Sequence, residues 1–226
     1  DANDLIPLEK NYSIETHWGK YTDEEYYSDE GIDLKEEANQ KLFSAKKKIS
    51  SFKEEVLSEN FEIEAKEEEV KSLLEENYKL YKNNLSSKLS SDLLTELCSF
   101  IDALAFKIKS QEAPLFSLSK EILLLACKHE KPVFNTEYHS KFDSLGWSPS
   151  PRSEGVQGIL KLSIRGKDDE IINVVRTLVS DPVPAIRYLT GTELFRLFWC
   201  DEDSFFEISG NMAKTESNGT VLGGLL

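Results

Sequence analysis

LVSDPVPAIRYLTGTELFRL, residues Leu178 to Leu197, decides the reading of this chain, because it spells the end of one helix, a tight corner and the start of the next. Asp181 sits where an N-cap belongs, its carboxylate placed to accept from the backbone N–H groups that a first helical turn leaves unpaired. Pro182 follows at the first helical position, which needs no N–H, and Pro184 still falls in the opening turn, where proline is tolerated. The spacing therefore predicts a helix from Asp181, with Ile186, Leu189, Leu194, Leu197 and Phe198 recurring on one buried stripe. Upstream, Ile171, Ile172, Val175, Leu178 and Val179 keep the same period and stop at Ser180. Two amphipathic helices meet across a two-proline corner.

Working outward, composition bounds the rest. The chain has 226 residues, 30% of them charged and 39% hydrophobic, which suits one or two soluble helical domains with a real core. A net charge of -14 argues against general affinity for nucleic acid or an anionic membrane. No apolar run approaches the roughly 20 residues of a membrane span. Met212 is the only methionine and the chain closes on VLGGLL, so an excised piece of a longer polypeptide is expected, with a processed chain as the lesser alternative. Cys98, Cys127 and Cys200 each sit in an apolar helical pattern and read as buried thiols of a reducing, cytoplasmic compartment.

Residues 1–32 are acidic and aromatic, with Tyr12, Trp18, Tyr21, Tyr26 and Tyr27 among carboxylates, and read as an arm packing its rings on the protein or, as the alternative, a docking segment for a basic partner. From Ile32 to Ala113 there is neither glycine nor proline, which permits very long helices. Between Leu42 and Leu80 a heptad can be counted. One seam is Leu42, Ile49, Val56, Ile63, Val70 and Asn77; the other, Ala45, Phe52, Glu59, Lys66, Leu73 and Leu80, fails in its middle. A continuous helix over this span would reach roughly 60 Å. It would fold back as a hairpin on Ser91 to Lys109, capped by Ser91 or Asp92, with a homodimer through the long helix as the alternative. Residues 33–112 thus form the hairpin, and residues 113–150 add a helix at Ser117 to Lys128 and a connecting loop with one turn around Tyr138 to Leu145. Every arginine, Arg152, Arg165, Arg176, Arg187 and Arg196, lies beyond residue 150, which supports a boundary there. A last helix is expected from Asp203 to Ala213, after which the glycine-rich end leads out.

The pattern L-x-x-D-P-x-P-x-x-R-x6-L-x-x-L resembles HEAT and armadillo helical repeats, over roughly Trp147 to Asp201. The resemblance implies helix pairs of the α-solenoid type across residues 151–226, with Asp181 and Arg187 forming a polar ladder between neighbouring repeats. The small residue usual in the second half of the stripe is Thr190 or Gly191 here. Such repeats, by resemblance, belong to large multidomain bacterial proteins, some of them nucleotide-dependent and active in anti-phage defence.

Chemistry is sparse. There is no phosphate-binding glycine loop, no G-x-S-x-G and no H-E-x-x-H. Cys127, His129, His139 and Cys200 lack paired-ligand spacing, so no metal is expected, nor any cofactor. Among 41 carboxylates, choosing an acid pair would be arbitrary. One reading sets Arg176 and Arg187 on a concave face to grip phosphate, a peptide carboxylate or a nucleic-acid backbone, but a structural ladder is the better reading of Arg187, and Arg152, poorly placed for the dipole at its helix start, calls for a specific acidic partner. The expectation is an all-α protein, a long helical hairpin with coiled-coil character followed by HEAT-like pairs. It would serve as a non-catalytic scaffold that binds a protein partner or other domains of its parent chain. The alternative is a regulatory or sensor region touching nucleic acid through its arginines; no membrane role is expected.

Overall fold

The structure, a computed structural model, describes residues 22–136 and 148–225; Tyr12, Trp18, Tyr21, His139 and the turn expected at Tyr138 to Leu145 lie outside them. The described residues form helices and no strand. In order these are α1 (Asp23–Asp29), α2 (Glu37–Val56), α3 (Ile63–Lys82), α4 (Lys88–Leu104), α5 (Pro114–Cys127), α6 (Pro151–Ser163), α7 (Asp169–Leu178), α8 (Pro184–Glu193), a 3-10 segment (Leu194–Trp199), α9 (Glu202–Thr215) and α10 (Gly219–Leu225). None is long and apolar enough to cross a membrane. The chain divides into two compact units, residues 1–40 and 41–226. In the first, Thr22 and Glu25 close a capping box on α1, and Gly31, at φ +74°, turns the chain beyond it.

The continuous helix expected from Leu42 to Leu80 is instead two helices of 20 residues each, broken between Val56 and Ile63. A straight helix would have carried Glu59 and Lys66 into a seam that needs apolar side chains, and burying charge is costly. The break leaves Glu59 exposed, brings Lys66 Nζ to 2.5 Å from the Glu55 carboxylate and lets Phe61 meet Phe52 edge-on at 6.3 Å. Seam burial survives the break. Leu42, Ile49, Val56, Ile63, Val70 and Asn77 are all buried, and Asn77 satisfies its amide on the Leu73 carbonyl at 2.6 Å. Helix α3 lies on α4 and α5. Helix α4 starts at Lys88, ahead of the expected caps, because Leu89, Leu93, Leu94, Leu97, Phe100 and Ile101 extend its buried face toward the N-terminus.

Residue 150 is not a packing boundary. Beyond it, α6 runs through the middle of the second unit, against α4, α5, α7 and α8. A Ser150–Ser153 capping box and Pro151 at its first position start this helix. Val156, Ile159, Leu160 and Leu162 are fully buried, worth about 1.5–3 kcal/mol each. Gly155 and Gly158 let α6 approach α5 closely: a Cβ at 155 would stand 3.0 Å from both Ala126 Cβ and Cys127 N.

At the corner, α7 ends at Leu178 as the period requires, but the next helix begins at Pro184 rather than at Asp181. Asp181 Oδ1 accepts from Val183 N at 2.8 Å, a turn that precedes the helix instead of capping it. Ile186, Leu189, Leu194 and Leu197 are buried, whereas Phe198, expected on the same stripe, is exposed. Its reason is the change to 3-10 winding at Leu194: with three residues per turn, Leu194 and Leu197 share the inner face and Phe198 is carried outward. The glycine-rich end does not lead out. It folds as α10 along α8, with Gly224 against Tyr188 and Thr192, and Gly191 facing the backbone of Gly224 and Leu225.

Candidate interaction surface

The arginines beyond residue 150 are braces between elements. Arg152 Nη2 donates to the Pro132 carbonyl at 2.6 Å, and its Nε lies 3.4 Å from Asp181 Oδ2, within charge attraction but without a hydrogen bond. The Asp181 carboxylate therefore faces Arg152 at the start of α6, while Arg187 meets Asp181 through its backbone carbonyl and takes another carboxylate as its charge partner. Burial pushes its carboxyl up from the ordinary value, against the Val183 N–H and the charges of Arg152 and Arg187. Arg187 donates to the backbone carbonyl of Asp181 at 2.7 Å and grips Glu216 through Nε at 2.5 Å and Nη2 at 3.2 Å. Glu216 lies at the α9 end, a partner the corner motif could not reveal. Burial opposes its ionisation, yet the Arg187 fork and the N–H groups of Asn218 and Ser217 hold it below the usual carboxylate range. Arg176 makes a two-pronged pair with Glu207 at 3.2 and 2.8 Å, Arg165 donates twice to the Ala105 carbonyl, and Arg196 pairs with Glu193.

Exposed rings gather beside these braces. Phe195, Phe198, Trp199 and Phe206 are all exposed, Trp199 by 74%. Phe198 is the hub: its centroid lies 5.8 Å from Trp199, 5.7 Å from Phe205 and 6.1 Å from Phe206, each contact edge-on. Across the 3-10 segment, the Arg196 guanidinium stands 4.8 Å from Phe195 and 5.2 Å from the exposed Phe106. Three-residue winding puts Phe195 and Phe198 on one side, and Asp201, capping α9 through Ser204, sets the direction from which Phe205 and Phe206 return. The helical period of the stripe predicts Phe198 inside, and the other rings fall on no such period. Their signal, FWCDEDSFFE, is aromatic residues set among acids rather than among aliphatics.

Other candidates are less developed. An open groove of about 620 Å³ between α3 and α5 is lined by Tyr78, Tyr81, Lys120, Glu121, Leu124 and His129. Its polar groups already have partners, Lys120 on Asp168 and Glu170, and Glu121 on Tyr78 and Lys82. Among the described residues no three His, Cys, Asp or Glu side chains converge as metal ligands. Cys98 and Cys127 are buried free thiols, while Cys200, expected to be buried, is only half so. No protein-family model, curated protein sequence or solved structure matches this chain.

Proposed function

We propose that this protein is a non-catalytic, helical protein-interaction module that docks a partner, or another domain of its parent chain, on the ring surface of Phe198, Trp199, Phe205 and Phe206. One observation carries the reading: large rings meet one another at the surface, beside a core in which the aliphatic stripes of α4, α6 and α7 are buried. Contiguous exposed aromatic area is unfavourable in water and marks binding sites, where tryptophan and other rings serve as anchors. The HEAT-type pairing remains part of this proposal for α7 and α8, the stretch that carries the resemblance. Nucleic-acid contact through the arginines has less support, since each guanidinium is held by an acceptor of this chain. A cytoplasmic setting accords with three unpaired thiols.

The test is a photo-crosslinking amino acid placed at 199 or, as a control, at exposed Leu57. A discrete crosslink from 199, absent from 57 and lost when Phe198 and Phe206 become alanine, is the expected outcome. Equal crosslinking from both positions would refute the docking surface.

A further inference from the structure

We infer that the occupant of this surface is a basic segment of a partner protein that also carries apolar anchor side chains. This rests on the docking reading and adds the chemistry of what docks. Beside this surface two further exposed rings already take a cation: the Arg196 guanidinium stands 4.8 Å from the centroid of Phe195 and 5.2 Å from that of Phe106. Exposed Glu202 and Asp203 stand one turn before Phe205 and Phe206 on α9, and residues three and four apart share a helix face. Carboxylates and rings therefore form one surface. The neighbouring cations are engaged within the chain, Arg196 by Glu193, Arg176 by Glu207 and Lys167 by Asp201 at 2.8 Å. Lys167 also feels Asp169 and Asp203, yet carboxylates outnumber cations beside the rings, on a chain whose net charge is -14. A second copy would bring the same acidic rim against this one, which like-charge repulsion disfavours. An acidic peptide or a nucleic-acid backbone meets the same repulsion, and an uncharged apolar segment would gain the rings alone.

The probes are three fluorescein-labelled peptides with the same helical leucine spacing and lysine, glutamine or glutamate elsewhere, measured by anisotropy. The lysine peptide should bind at least about tenfold more tightly than the glutamine peptide at low salt, an advantage that shrinks as salt is raised. The glutamate peptide should not bind. Trp199→Ala with Phe206→Ala, both on exposed rings and so expected to melt like the parent, should weaken the lysine peptide by about tenfold. Glu202→Gln with Asp203→Asn should remove the preference for lysine and leave glutamine-peptide binding in place. Equal binding of the lysine and glutamine peptides to the parent protein overturns the basic occupant while leaving the docking surface standing. Undiminished lysine-peptide binding by the ring variant overturns the docking reading itself. Failure of the lysine peptide to bind, or a parent dimer in sedimentation that the ring variant dissociates, also overturns the inference.

Discussion

Replacing Glu154 by glutamine should stabilise this protein at pH 8 and do almost nothing at pH 4. Glu154 lies on α6, facing Glu96, Ser99 and Asp102 of α4 and Lys53 of α2. Burial, then the negative charge of Asp102, push its carboxyl from an ordinary 4.5 up to about 7, while Lys53 and a hydrogen bond with Ser99 pull the other way. Between those two values the folded chain keeps a proton that the unfolded chain has released. Stability from this group is therefore fully present below 4.5, falls as pH rises through the interval and levels off above about 7. At 1.36 kcal/mol for each pH unit the full swing is at most about 3 kcal/mol, and nearer about 2 kcal/mol once partial exposure to screening solvent is allowed for. In a chain of 226 residues, about 2 kcal/mol corresponds to roughly 4–8 °C in melting temperature. Thermal melts followed by circular dichroism at both pH values, with Glu68→Gln on the exposed side of α3 as a control for net charge, make the comparison. An equal gain at both pH values, or a gain matched by the control, would refute the reasoning.

Arg187→Ala strands the carboxylate of Glu216, whose side chain is only 4% exposed, and should cost about 3 kcal/mol in urea unfolding at neutral pH. That loss should shrink in acid: the folded value of Glu216 is depressed, so its contribution is present above the ordinary 4.5 and disappears as pH falls through the folded value. Gly210→Ala, on an open face of α9, should gain up to about 1 kcal/mol by helix propensity, whereas Gly155→Ala should lose stability against the α5 backbone; denaturant midpoints decide both. Toward a thiol reagent at pH 8, Cys200 should react first, with Cys127, pushed up to about 12 by burial, and Cys98, raised for the same reason, reacting only as the protein unfolds. Simultaneous labelling of all three would contradict the burial.

Much of the core could be read in advance, because a seven-residue spacing survives a turn. Val56 and Ile63 hold consecutive seam positions on either side of the α2–α3 break, so the right side chains are buried although the helix is interrupted. The break lay in the faulty second seam at Glu59, a defect visible in the sequence whose consequence depended on Phe61 finding Phe52. At the corner, Asp181 and Arg187 come close, yet their charges go elsewhere, to Arg152 and Glu216, residues tens of positions away that only the packing of α6 and α9 brings in. The ring surface was hidden by an assumption of 3.6-residue winding: Phe198 lies one residue beyond Leu197, outside once the turn tightens. Helix α10 contradicts glycine's low helix propensity, and its register against Tyr188, Gly191 and Thr192 explains how a weak helix former is held.

A row of half-buried polar groups lines the junction where α2, α4 and α6 meet: Lys53 on Glu96 and Ser99, then Glu154, then Asp102 on Lys161 at 2.5 Å. Leucines on neighbouring helices pack nearly as well after one helix slides or swivels by a turn, but these groups do not, since any such slip would part the pairs and leave a half-buried lysine or carboxylate without its partner. The row thus acts as a key cut for a single alignment. Resizing the surrounding leucines should loosen the protein while preserving its helix pairing, whereas turning the whole row apolar should leave it as sturdy but free to settle in more than one arrangement.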